Sequence, residues 1–169
     1  MTSQFTRLTC VSFLGLATMS GCGPQTGPPA SGGVDAANSV AEIDPHDMPL
    51  TEAEIESLKS SVTRYQDALS AIKTYRNAIR DAIAAGNPPQ AHRPLDELDI
   101  VLEHLPTVAR DDNIPKSEWE TINTSALRIR ELFDGVHRQI DAGEAPDFKS
   151  VGEEIAGQIA LLENVASSE

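Results

Sequence analysis

His92, Asp96, Asp99 and Glu103 follow one another at steps of 4, 3 and 4 residues. On a continuous helix that spacing puts all four on one stripe. Imidazole with carboxylates is a donor set for a divalent cation. The plainer reading is a solvated acidic flank beside a leucine seam, and Pro94 can leave His92 outside the helix. Asp134, His137 and Asp141 form a second group, at steps of 3 and 4. Di-iron bundle proteins use Glu-x-x-His on two helices together with further glutamates. Asp134-x-x-His137 is a single shortened variant of that pattern, with no second x-x-His partner. A helical histidine flanked by carboxylates at i−3 and i+4 also fits ordinary surface pairing. These seven residues are the candidate metal ligands. The two stripes count as a site only if they face each other across a groove within ligand reach.

The elements that must position them can be read from apolar spacing. Thr51-Glu52-Ala53-Glu54 has the form of a capping box. Ile55, Leu58, Val62, Tyr65, Leu69, Ile72, Arg76, Ile79 and Ile83 then alternate steps of 3 and 4, which predicts one long first helix. Arg76 is the polar entry in that seam. It is either a buried charge that sets helix register or a side chain with a buried stem and a wet head. Gly86 and Asn87-Pro88-Pro89 stop the helix. A second helix is centred on residues 94–105, with Leu95, Leu98, Leu102 and Leu105 inward. Either Pro94 opens it, or Asn87 caps it and Pro94 kinks it; Pro106 ends or bends it. Ser117-Glu118-Trp119-Glu120 reads as another capping box. Trp119, Ile122, Ala126, Ile129, Phe133, Val136 and Ile140 carry the third helix towards Gly143. Phe148, Val151, Ile155, Ile159 and Leu162 mark a fourth, from about Asp147 to Ala166. The first and third helices read as longest. The fold expected is all-α, an antiparallel four-helix bundle over residues 51–167.

Composition agrees. Of 169 residues, 40% are hydrophobic but only 4% aromatic, which suits an aliphatic helical core. The net charge of −13 argues against binding a nucleic-acid backbone, which needs clustered Lys and Arg.

Ahead of the helices the chain has a different character. Arg7 precedes an apolar run at residues 8–19, shorter than the roughly 20 residues a spanning helix needs. Met19-Ser20-Gly21-Cys22 resembles the lipobox of bacterial lipoprotein precursors, with Met19 in the slot usually held by Leu. The resemblance covers residues 1–22. It implies a signal peptide over residues 1–21, cleavage before Cys22 and acylation of Cys22, hence a lipid anchor in the cell envelope. Two or three acyl chains anchor stably where one is marginal. Gly23 after the cysteine resembles lipoproteins sorted to the outer membrane, facing the periplasm, in hosts that have one. Residues 23–50 are rich in Gly, Pro, Ser and Ala and read as a flexible linker with a mean reach of roughly 30 Å.

Several chemistries then drop out. Cys10 lies within the removed segment, which leaves no cysteine for a disulfide, a thiolate metal site or a nucleophile. There is no C-x-x-C-H for covalent haem, His104 and His137 lie off their seams, and Met48 lies at the end of the linker, as does His46 within it. There is no G-x-S-x-G and no phosphate-cradling loop. The expectation is a membrane-anchored, non-enzymatic interaction or scaffold module with no cofactor. Its partners would be the bilayer, through Cys22, and another envelope protein. The alternative is a metal-cation-binding bundle.

Overall fold

The computed structural model describes residues 48–166, and residues 1–47 and 167–169 fall outside it, so the expected signal peptide, Cys22 and most of the expected linker lie outside the described residues. The described chain is all-helical: α1 (Glu52–Ser61), α2 (Tyr65–Ala84), α3 (His92–Asp111), α4 (Trp119–Asp141) and α5 (Phe148–Ala166), with short 3-10 turns at Pro88–Ala91 and Lys116–Glu118. Among these residues no helix is long and apolar enough to cross a membrane.

The seams predicted from spacing form the core. Leu69, Ile72, Leu102, Leu105, Ile129, Ile155 and Leu162 are all buried. α2 packs on α3, α3 on α4 and α4 on α5, and α5 returns to α2. The Tyr65 hydroxyl donates across that last contact to the Leu162 carbonyl at 3.2 Å, and Lys73 meets Glu163 at 2.9 Å.

The expected first helix is two helices. The capping box at Thr51 forms: the Thr51 amide donates to Glu54 Oε2 at 2.8 Å and the Glu54 amide to Thr51 Oγ1 at 3.3 Å. The helix it starts stops at Ser61, because Val62 turns out of helical geometry at φ −111°, ψ 72°. Val62 and Thr63 are adjacent β-branched residues, which helices accommodate poorly. α2 then restarts at Tyr65, whose amide donates to Asp112 Oδ2 at 2.8 Å. That carboxylate replaces the cap which Arg64, at the N-cap position, does not supply. α1 has no buried residue; it lies against α3, with Leu58 packed at the edge of the core.

Two further expectations change. The second helix extends past residues 94–105 at both ends: α3 runs twenty residues, and Pro106 sits inside it rather than ending it. Pro94 lies in its first turn, where a missing amide costs little. The box at Ser117 does not form; residues 116–118 make a 3-10 turn, and α4 begins at Trp119 without a side-chain cap. Arg76 is half-buried and donates from Nε to Asn77 Oδ1 at 3.2 Å. That arrangement fits the reading of a buried stem with a polar-facing head.

Three helices end alike. Gly86, Asn113 and Gly143 hold positive φ. The amide after each reaches back to the last turn: Asn87 to Ala82, Ile114 to Ala109 and Glu144 to Gln139. This is the Schellman closure, and it needs a residue that tolerates the left-handed region. Gly86 and the 3-10 turn after it set where His92 begins α3. Gly143 ends α4 immediately after Asp141.

Candidate metal centre

The two stripes meet only at their ends, where the start of α3 lies against the last turns of α4. His92 is the first residue of α3; His137 and Asp141 occupy the last turns of α4, four residues apart on one face. His92 Nε2 lies 3.2 Å from Asp141 Oδ1. His137 Nε2 lies 3.6 Å from the same oxygen. The imidazole centroids are 5.2 Å apart with the rings tilted by 44°. One ligand atom from each of the three residues falls within 4.8 Å of the others.

Those separations suit a small cation. Zinc binds nitrogen and oxygen at about 2.0–2.2 Å, so tetrahedral donors lie about 3.3–3.6 Å apart. The two contacts to Asp141 Oδ1, at 3.2 and 3.6 Å, are near that spacing, while the three ligand atoms together spread over as much as 4.8 Å and would have to draw in. Two imidazoles with one carboxylate select a borderline transition metal such as Zn²⁺, rather than Ca²⁺ or Mg²⁺, which prefer all-oxygen sites. The negative end of the α4 dipole favours a cation there, and the positive end of the α3 dipole, at His92, opposes it. The His92 side chain is 14% exposed and that of His137 33%, so the pair is sheltered without being sealed.

Asp96, one turn along α3 from His92, faces both histidines. Desolvation pushes its carboxyl above the usual carboxylate range, with His137, His92 and Arg93 pulling the other way. It lies outside the three-residue cluster, and can act as an outer partner that orients an imidazole.

The remaining candidates are committed elsewhere or stand apart. Asp99 accepts two bonds from Arg130, Nε to Oδ1 at 2.6 Å and Nη2 to Oδ2 at 3.0 Å. Asp134 pairs with Arg138 at 2.6 Å on the surface of α4. Glu103 is exposed and is not in the cluster. Sequence spacing therefore found the two histidines and Asp141 but not their grouping. It also missed Arg130, and it missed Arg93, which joins Glu54 of α1 at 2.7 Å to Glu97 of α3 at 3.0 Å. No motif marks either arginine; only the packing of one helix on another reveals them.

Beside the cluster, a groove of about 710 Å³ runs along α3 and α4, lined also by Pro49, Leu50 and Ile55 and by His137. No protein-family model, no curated protein and no solved structure matches this chain.

Proposed function

We propose that this chain is an envelope lipoprotein whose helical domain binds a divalent transition-metal cation through His92, His137 and Asp141. The observation that carries the metal reading is the convergence of two histidines and one carboxylate from two helices within 4.8 Å. Spacing along either helix alone does not require that convergence. In this reading the domain binds and does not catalyse. Its four long helices form an antiparallel up-down-up-down bundle that fixes the N-terminal end of α3 against the C-terminal end of α4. The address rests on the lipobox-like Met19-Ser20-Gly21-Cys22, which would tether the domain through residues 23–50.

The test is elemental analysis of the full chain purified without chelator, followed by titration of the stripped protein with ZnCl₂. One equivalent of metal is expected. His92→Ala and His137→Ala should each weaken binding by more than the roughly 10–100-fold typical of an outer partner. Metal-free protein that takes up no zinc would sink this reading.

A different feature favours a second reading, the interaction module. The groove between α3 and α4, also lined by Pro49, Leu50 and Ile55, carries Leu127 with 56% of its surface exposed.

A further inference from the structure

We infer that His46, two residues ahead of Met48 where the described chain begins, supplies a fourth ligand to a metal held by His92, His137 and Asp141. The inference rests on the metal reading and deepens it, by turning a three-ligand centre into one with four protein ligands.

Three ligands leave a tetrahedral ion one position short. Catalytic zinc sites keep that position open to water, whereas sites with four protein ligands hold the metal closed. A domain that binds and does not catalyse calls for the second kind. The helices offer few donors for the position. Asp99, Glu131 and Asp134 line the groove beside the cluster, but they pair with Arg130, Arg128 and Arg138. Asp96 lies outside the cluster. Of the four histidines in the chain, His104 sits twelve residues along α3 from His92, about 18 Å of helix away. His46 is the remaining imidazole.

The path of the chain carries it to the site. Pro49 and Leu50 line the same groove as His137. Thr51 is tied to the start of α3: its hydroxyl donates to Glu54 Oε2 at 2.7 Å, and Glu54 Oε1 accepts from Arg93 Nη2 at 2.7 Å. Arg93 directly follows His92. The chain therefore enters the domain beside the end of α3 that carries the cluster. His46 is four residues before Leu50, an extended reach of about 14 Å before its side chain is added. The groove runs about 15 Å along α4 from Leu127 to His137, so that reach covers its length. Asp44 and Asp47 flank His46, and a bound dication attracts both. The short connection to Leu50 makes binding of this last ligand an intramolecular step.

The test is titration of the stripped full chain with ZnCl₂, with imidazole nitrogen NMR shifts to show which histidines bind. The wild type should take one equivalent, with His46, His92 and His137 moving to metal-bound shifts and His104 unmoved. His46→Ala should weaken zinc binding at least tenfold and leave the metal-free thermal midpoint unchanged. His104→Ala should change neither. The mass by light scattering should be the same with and without zinc. Zinc bound through His92 and His137 alone, with His46→Ala titrating like the wild type, would overturn the inference and leave the metal reading standing. A larger loss for Asp96→Asn than for His46→Ala would give the position to Asp96 instead. A doubling of mass on adding zinc would mean that His46 serves a second copy, against the intramolecular ligand. A wild-type chain that takes up no zinc would sink both readings.

Discussion

The carboxylate of Asp112, one residue beyond α3, accepts a hydrogen bond at 2.8 Å from the backbone amide of Tyr65, forty-seven residues earlier. A residue that ends one helix thereby starts another. Asp112→Ala should cost about 1 kcal/mol, the usual value of a lost N-cap, whereas Asp112→Asn should retain most of the stability. Urea unfolding of the two variants checks this, and equal losses would mean that the carboxylate's charge, not its acceptor oxygen, carries the effect.

α1 should respond to acid before the rest of the domain. Hydrogen bonds from Thr51, then Arg93, draw the Glu54 carboxyl from 4.5 down to about 2. A depressed carboxylate stabilises the folded form above its unfolded value, and that contribution fades as the pH falls through the folded one. The docking of α1 is therefore complete above about pH 4.5 and weakens progressively towards about pH 2. Amide exchange of residues 52–61 followed by NMR over that range should show α1 losing protection while α2 keeps it. Glu54→Gln keeps an acceptor for the Thr51 amide and loses only the charge opposite Arg93, so it should show a small part of that loss at neutral pH.

The Asp99–Arg130 clamp ties α3 to α4, with side chains 49% and 38% exposed respectively. At that exposure a bidentate pair contributes modestly, so a double-mutant cycle with Asp99→Asn and Arg130→Gln should give a coupling of about 0.5–1 kcal/mol. High salt should shrink it. A coupling near zero would show that the two residues contribute independently.

Core and site should separate cleanly under mutation. Ile72 is fully buried, and Ile72→Asp should unfold the domain by burying an unpaired charge. His137 lies at the edge of the fold, and His137→Ala should change the metal-free thermal midpoint little. Added zinc should raise the wild-type midpoint, by about 2.7 kcal/mol of stability at a hundredfold excess over Kd, and should leave His137→Ala nearly unmoved. A large drop for metal-free His137→Ala would show that the histidine belongs to the core.

The helices were legible wherever a pattern is local. Leu69, Ile72, Ile129 and Ile155 keep steps that only a buried helical face explains, and all four are buried. Thr51 with Glu54, Gly86 and Gly143 mark ends by short-range chemistry. The break at Val62 was hidden, because Val62 and Tyr65 continue the 3-residue step across it and the compensating cap comes from Asp112. Asn113 fills a left-handed position more often given to glycine, so the end of α3 carried no glycine signal. For the candidate centre, the residue types were visible but the pairing was not. Whether His92 meets His137 depends on the register of α3 against α4, and Asp99 is diverted to Arg130 by that same register.

The separation of α1 from α2 has a mechanical consequence. A pull applied from the N-terminal side loads α1 first, and α1 has no buried side chain to resist it. Its main polar hold on the rest is the Glu54–Arg93 contact at 2.7 Å. Peeling residues 52–61 from helix to extended chain lengthens the polypeptide by roughly 20 Å. The force then reaches α2 at Tyr65, where a buried ring and the Asp112 cap oppose it. α1 thus behaves as an extensible spring in series with a stiff body, taking up strain before the helices that position His92 and His137 are disturbed.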